Sequence, residues 1–148
     1  MLTREKAVEA ALGWVGTPYV TGGQVRGAGC DCATLIAAYL IEIGAAPGVP
    51  LFTYAQDWFC HTDRETYFLE LARYARCTWE GKCVGTPPAQ AGDICLFRVV
   101  GSKLYNHGCI VTGWPRAVHA YDKGVFESRP GLHPLTAYQE MAVFSPWV

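Results

Sequence analysis

The stretch GAGCDCATLIAAYL, residues 27–40, decides the fold and raises the question of function. From Asp31 onward the chain is patterned as a helix with one apolar face, because hydrophobic residues recur at intervals of three and four. That face comprises Cys32, Leu35, Ile36, Tyr39, Leu40 and Ile43, and Gly44 ends the helix. The two cysteines at its start could be a metal or redox pair, two inert core thiols, or one nucleophile with an ordinary neighbour.

The composition is that of one compact domain. The chain has 148 residues, 51% of them hydrophobic, which is enough to bury a core without staples. We therefore expect a single domain over residues 1–148. The net charge is −1 and basic residues form no run, so we expect no nucleic-acid partner. The charged N-terminal segment has no long apolar core, so we expect neither a signal peptide nor a membrane span.

Seven cysteines are scattered along the chain, and an odd number does not suit a secreted disulfide framework. Free thiols and folding in a reducing cytoplasm are the simplest expectation. Cys30 and Cys32 are too close for an easy disulfide, and we expect none between Cys77 and Cys83. Neither the first pair nor Cys60–His61 has a second spaced pair to complete a zinc site, and no C-x-x-C is present. We expect no metal or cofactor.

The remaining pattern places helices first and antiparallel strands afterwards. Thr3 caps a first helix whose predicted face is Val8, Ala11, Leu12 and Val15. Thr62 and Glu65 form a capping box that opens a third helix, through about Ala75. Five apolar runs then predict strands, namely ICLFRVV, HGCIVTGW, AVHAYD, GVFES and MAVFSPW. The fold class is therefore α+β, with N-terminal helices packed on a C-terminal antiparallel sheet.

Cys32 lies where a helix start favours a nucleophilic thiol. Unpaired backbone N–H groups and the helix dipole lower the pKa of a thiol at this position, and Asp31 is the natural cap. The same N–H groups could receive an oxyanion beside an attacked carbonyl. A thiol nucleophile also needs a base, and His107 and His119 in the predicted strands are the candidates.

Whether the two histidines share a face depends on the turn between their strands. A three-residue loop at 113–115 would pair Cys109 with His119, leaving His107 as a diagonal neighbour on the same face. A two-residue loop at 115–116 would place the histidines on opposite faces. We expect the first arrangement. In it, His119 holds the ring of His107, and His107 activates Cys32. From spacing alone, however, such cysteines and histidines are more often structural.

Five segments in register resemble the NlpC/p60 cell-wall peptidases, which are papain-like cysteine peptidases that cleave peptidoglycan stem peptides. They are GTPYVTGG (16–23), GCDCATLI (29–36), AGDICLF (91–97), NHGCIV (106–111) and AVHAY (117–121). The loop TYAQDWF (53–59), the third helix and the C-terminal run 125–147 resemble the branch found with phage tails and gene-transfer-agent particles. The resemblance covers nearly the whole chain and implies a papain-like fold.

Carried over by position, the resemblance makes Cys32 the nucleophile and His107 the general base, which later serves as acid for the leaving amine. His119 becomes the polar residue that orients His107. Tyr19 matches the family tyrosine whose hydroxyl lies near the nucleophile and helps to bind substrate. Asp31 matches the aspartate before the nucleophile and is also assigned to substrate binding, although a plain helix cap explains it equally well.

Other positions carry weaker assignments. Trp58, in the aromatic loop, is a further candidate for substrate binding, although loop aromatics have many uses. Asp93 matches a Gly-Asp turn of the family, and we expect it to brace the following strand. Cys30 is expected to be a small packing residue near the cleft. Ala33-Thr34 replaces the Ser-Gly that commonly follows the nucleophile, which puts substrate detail in doubt.

The resemblance implies a cysteine peptidase that hydrolyses an amide in peptidoglycan stem peptides, between D-glutamate and the diamino acid. Its expected partners are the stem peptide and phage tail or particle proteins. We expect synthesis in the cytoplasm and action in the periplasm or cell wall as part of a phage or phage-like particle. Two alternatives stay open: a non-catalytic tail-tip, assembly or peptide-binding module of the same fold, and an amidase or acyltransferase with the same triad.

Overall fold

The computed structural model describes residues 1–48, 62–99 and 101–147. In chain order the elements are α1 (Arg4–Leu12), β1 (Gln24–Val25), β2 (Gly29–Cys30), α2 (Cys32–Glu42), α3 (Thr66–Leu71), β3 (Arg76–Lys82), β4 (Ile94–Phe97), β5 (His107–Gly113), β6 (Arg116–Tyr121), β7 (Gly124–Ser128) and β8 (Glu140–Ser145). No helix within these described ranges combines the length and hydropathy that a bilayer crossing requires.

An antiparallel sheet forms the centre of the fold. Within the described residues it has six strands in the order β3-β8-β4-β5-β6-β7. The pair β1–β2 forms a short separate hairpin ahead of α2, which the sequence did not predict. The predicted α+β class, with N-terminal helices packed on a C-terminal antiparallel sheet, is confirmed.

Strand alternation gives the sheet two buried faces. Ile94 and Leu96 pack with the helices, whereas Cys95 and Phe97 belong to a second apolar cluster. A strand that is apolar at every position is typical of a sheet covered on both sides. The central strand β4 is accordingly fully buried over its whole length.

Helix α2 follows its sequence pattern closely. Asp31 caps it by accepting hydrogen bonds from the N–H groups of Ala33 and Thr34, both at 2.9 Å. The Thr34 hydroxyl in turn accepts the Asp31 N–H at 2.8 Å, which completes a reciprocal capping box. At the other end Gly44 adopts a φ of +79°, a conformation that favours glycine. The start and the end of α2 are therefore both set locally.

The predicted face of α1 was partly wrong. Thr3 caps the helix as expected, through its hydroxyl and the Lys6 N–H at 3.3 Å. The buried residues, however, are Ala7, Ala10 and Ala11, while Leu12 and Val15 are exposed. The small alanine side chains let α1 pack close to α2 and β5. This explains why the alanine face is buried and the larger Leu12 and Val15 side chains are not.

The predicted start of α3 was also wrong. The helix begins at Thr66, and its cap residue Glu65 makes no capping hydrogen bond. The Glu65 carboxylate instead accepts the Tyr105 N–H at 2.9 Å and forms an ion pair with Arg98 at 3.0 Å. Because the Glu65 carboxylate makes these long-range contacts, it does not form the capping box.

Asp93 braces the beginning of β4, as expected from its turn. It is 3% exposed, accepts the Gln90 N–H at 2.9 Å and pairs with Arg4 of α1 at 2.9 Å. Arg4 also donates to the Ala91 carbonyl at 2.8 Å and lies over the Trp147 ring at 4.5 Å. The Asp93–Arg4 ion pair thus joins the first helix to the start of the central strand, and Arg4 also contacts Trp147 near the end of the chain.

Replacing Asp93 tests that brace. We expect Asp93→Ala to lower the free energy of unfolding by about 3 kcal/mol, because it leaves a partly buried guanidinium and a backbone N–H without their acceptor. Urea denaturation measures the change. Glu9→Ala is the matched control, since it removes the exposed Lys6–Glu9 pair and should cost less than about 0.5 kcal/mol. If the two substitutions lowered the free energy of unfolding equally, the stabilising role of Asp93 would be contradicted.

Candidate active site

Cys32 is the first residue of α2, as predicted, and lies against the beginning of β5. Its thiol donates to the carbonyl oxygen of Asn106, with Sγ and the oxygen 3.8 Å apart. The N–H of Gly108 is also within hydrogen-bonding reach of the sulfur. Cys32 therefore contacts the backbone of the two residues that flank His107.

The thiol occupies a place where two strands separate. Strands β5 and β6 are paired next to their turn, and the last pair away from the turn is Ile110 with Val118. On its other side, β5 stays paired with β4 as far as His107. Beyond Ile110, the backbone edge of β5 that faced β6 is open toward Cys32. Because β5 and β6 separate beyond Ile110 and Val118, the Gly108 N–H can donate to the Cys32 sulfur.

The predicted histidine pair is present. His107 Nε2 and His119 Nδ1 are 2.7 Å apart, and the two side chains are 4% and 1% exposed. The expected register, with Cys109 level with His119, follows from the pairing of Ile110 with Val118. The turn differs from the predicted one: Gly113 pairs with Arg116 around two residues, and a bulge after Val111 restores the register.

A role of His107 as a base would require one particular tautomer of each histidine. His107 uses Nε2 toward His119, so Nδ1 is the nitrogen left to accept a proton from a thiol. For that, neutral His107 must carry its proton on Nε2 and donate it to Nδ1 of His119. His119 then carries its own proton on Nε2, an atom with no hydrogen-bond partner within the described part of the chain. His119 thus serves as acceptor for the His107 ring.

Tyr19 lies on the same side of the site. It forms an isolated bridge with Cys30, two residues before Cys32. Burial raises the pKa of its phenol, and the neighbouring Cys32, Asp31 and Tyr121 raise it further. The Tyr121 ring in turn lies 6.0 Å from the His107 ring. Tyr19 and Tyr121 therefore lie near the thiol and the histidine pair.

Asp31 is a helix cap in this structure. Its carboxylate is 2% exposed and accepts the Gly22 N–H at 2.7 Å, in addition to the two N–H groups of α2. It thereby holds the segment containing Tyr19 against the start of the helix. The buried carboxylate favours the capping alternative over contact with substrate, and a role in substrate binding stays a prediction.

The other predicted residues fall in different places. Trp58, Cys60 and His61 lie outside the described residues. Cys30 is fully buried in the core beside the helix, as expected for a packing residue. All cysteines within the described ranges are free, including Cys77 and Cys83. No group of three or more potential metal ligands occurs in that part of the chain.

The Cys32 thiol and the two imidazoles are uncharged near neutral pH, which differs from the expected low-pKa thiol. Burial raises the pKa of Cys32 to about 12, the Asp31 carboxylate adds to this, and hydrogen bonds from Gly108, Tyr67 and its own backbone oppose it. Burial, with smaller contributions from His119 and His133, lowers the pKa of His107 to about 3. The dipole of α2 is therefore outweighed by burial. Proton transfer from the Cys32 thiol to the His107 imidazole is therefore unfavourable in the protein as it stands, without a bound molecule.

Two residues of this site carried no recognisable sequence signal. Tyr67 of α3 donates from its hydroxyl to the Cys32 carbonyl at 2.7 Å. The His133 ring packs edge-on against the His119 ring at 5.5 Å, and its Nδ1 accepts the Leu135 N–H at 3.2 Å. Both residues reach the site through tertiary packing of segments far away in sequence, so no local spacing predicts them.

The fold resembles those of three solved structures, an NlpC/p60 domain and two NlpC proteins. The NlpC/p60 domain of the peptidoglycan hydrolase SagA superposes with a TM-score of 0.59 at 20% identity, over 96% of this chain and 98% of that one. The fold is that of an NlpC/p60 domain. NlpC2 and NlpC1 of Trichomonas vaginalis superpose with TM-scores of 0.58 and 0.56 at 15% and 17% identity, over 93% of this chain. This chain spans 45% and 42% of those two proteins. No family model and no curated protein sequence matches it.

The buried histidines predict how stability depends on pH. Burial, with His133, lowers the pKa of His119 to about 4, and His107 is lowered further. The unfolded chain binds protons on both residues near pH 6.5, before the folded chain does, so stability is full above that pH and is lost below it. Between pH 7 and pH 5 we expect the two residues to reduce the free energy of unfolding by about 2–4 kcal/mol.

Urea denaturation over this pH range measures the loss. His119→Gln, which keeps a polar side chain but does not titrate, should remove about half of the pH dependence. Identical pH dependence in the wild type and His119→Gln would contradict the account.

Proposed function

We propose that the protein is an NlpC/p60-type cysteine peptidase that hydrolyses an amide in the stem peptide of peptidoglycan. The observation that carries the proposal is the placement of Cys32 against the residues flanking His107, which is hydrogen-bonded to His119. The fold is shared with a domain of the peptidoglycan hydrolase SagA, which supports the choice of substrate. The sequence resemblance extends the proposal to the bond between D-glutamate and the diamino acid.

The reaction begins with attack of the Cys32 sulfur on the scissile carbonyl carbon. As the S–C bond forms, the thiol proton moves to Nδ1 of His107, whose new positive charge is shared with His119 through the 2.7 Å hydrogen bond. The Asp31 cap uses the N–H groups of Ala33 and Thr34, so the Cys32 N–H is the donor at the helix start left for the oxyanion.

The tetrahedral intermediate then collapses with cleavage of the C–N bond. The leaving amine takes the proton from His107, and the acyl group stays on sulfur as a thioester. In the second half, water adds to the thioester while His107 accepts its proton and returns it to the departing sulfur. Acid and free thiol are the products, and no other reactant is consumed.

Digestion of purified peptidoglycan tests the proposal. The wild type should release fragments with a free D-glutamate carboxyl and a free amine on the diamino acid, identified by mass spectrometry. We expect Cys32→Ala to lower the rate at least about a thousandfold, because it removes the nucleophile. Cys77→Ala, which alters another partly exposed thiol, is the matched control and should retain activity.

Three other results of this digestion would indicate a different activity or mechanism. Cleavage at the link between the lactyl group and the peptide would identify an amidase. Retained cleavage by Cys32→Ala would exclude the mechanism. Wild-type protein that binds stem peptide without cleaving it would identify a binding module of the same fold.

We also propose that the protein is made in the cytoplasm and reaches the periplasm or wall as part of a phage or phage-like particle. The support is the sequence resemblance of the loop 53–59 and the run 125–147 to particle-associated peptidases. Peptide mass spectrometry of particles purified from a culture of the source organism should detect the chain together with tail proteins. Its absence from intact, tailed particles that carry the other tail proteins would contradict this delivery route.

A further inference from the structure

Tyr67 brings a phenol hydroxyl from α3 to the nucleophile. The hydroxyl donates to the Cys32 carbonyl oxygen at 2.7 Å. It also lies 2.7 Å from the point that a Cβ atom on Gly108 would occupy. The hydroxyl is therefore held between the first residue of α2 and the strand residue that follows His107.

The same hydroxyl, bonded to the backbone of Cys32, lies beside the residue that carries the reacting sulfur. A hydrogen bond from the Tyr67 side chain lowers the pKa of the Cys32 thiol, as does the Gly108 N–H from the open edge of β5. Burial and the Asp31 carboxylate act in the opposite direction. The Tyr67 hydroxyl of α3 and the Gly108 N–H of β5 thus both favour negative charge on the Cys32 sulfur, whereas burial and Asp31 favour the neutral thiol.

Helix α3 is short, but its position on the sheet is fixed by several contacts. Phe68 packs edge-on against Phe144 of β8 at 4.9 Å and stacks on Tyr105 at 5.7 Å. Glu65, just before the helix, binds the Tyr105 N–H and Arg98. Tyr67 itself is only 9% exposed. The hydroxyl is therefore placed before any substrate arrives, as electrostatic stabilisation requires.

We propose that Tyr67 is a catalytic residue, whose hydroxyl turns from the Cys32 carbonyl to the Cys32 sulfur and stabilises the negative charge that develops there. The phenol keeps its proton throughout, because the thiol proton goes to Nδ1 of His107. The proposal rests on Cys32 being the nucleophile of the proposed function. It adds a side-chain donor to the backbone donors of Gly108 and Cys32.

Tyr67→Phe removes the hydroxyl and keeps the ring. Loss of one charge-assisted donor should raise the pKa of the Cys32 thiol by about one unit. The rate of alkylation of Cys32 by iodoacetamide at pH 8 should then fall about three- to fivefold, since the thiolate becomes tenfold scarcer and somewhat more nucleophilic. Mass spectrometry of the Cys32 peptide measures this rate separately from that of the other cysteines.

The direction of the change separates catalysis from packing. If Tyr67 only supported the fold, its loss would loosen the site, expose Cys32 and raise the alkylation rate. Tyr39→Phe is the matched control, because it also removes a buried hydroxyl that donates to a backbone carbonyl, that of Gly92 at 2.6 Å, away from the sulfur. It should lower thermal stability comparably and leave alkylation of Cys32 within twofold of the wild type.

Gly108→Ala tests the same contact without altering Tyr67. The added Cβ would displace the hydroxyl and also the Ile36 side chain, so the variant is compared only after circular dichroism and thermal melting show that it is folded. Folded Gly108→Ala should also slow alkylation, and the double variant with Tyr67→Phe should be little slower than either one. With peptidoglycan as substrate, Tyr67→Phe should reduce kcat about tenfold with little change in KM. An unchanged or faster alkylation rate in folded Tyr67→Phe would overturn the proposal. Because alkylation needs no substrate, that result is distinct from a failure of the proposed function.

Discussion

The close approach of α2 to β5 at Gly108 is the contact on which the candidate site depends. A Cβ atom at this position would lie 2.5 Å from Ile36 Cδ1 and 2.7 Å from the Tyr67 hydroxyl, so only glycine fits without displacement. The apolar face of α2 can therefore lie directly on the sheet. Its first residue, Cys32, then meets the strand at the point where β5 has parted from β6.

Burial dominates the electrostatics of this arrangement. It raises the pKa of the Cys32 thiol and lowers the pKa of both histidines, so a thiolate–imidazolium pair is disfavoured in the protein without a bound molecule. In the proposed mechanism, the Gly108 N–H and the Tyr67 hydroxyl stabilise charge on the sulfur, and His119 is hydrogen-bonded to His107. Such groups act mainly on charge that develops during reaction, which is where stabilisation raises the rate.

Much of this fold was predictable, because its main elements are set by local patterns. The apolar period of α2, its Asp31 cap and the alternating strands all follow from spacing. Strand β3 was missed, although Cys77, Trp79 and Gly81 do alternate with polar residues along it. The site was predictable only in part. His107 and His119 meet because a bulge after Val111 compensates for a shorter turn, whereas Tyr67 and His133 arrive through long-range packing.

The central claim is that the Cys32 sulfur forms a covalent acyl intermediate with a stem peptide. Intact-protein mass spectrometry after rapid acid quenching tests it most directly, using wild-type protein mixed with a purified stem peptide. The account predicts an added mass equal to the acyl half of the peptide, located on Cys32 by fragmentation. Turnover accompanied by an adduct on another residue, or undiminished turnover in Cys32→Ala, would contradict it.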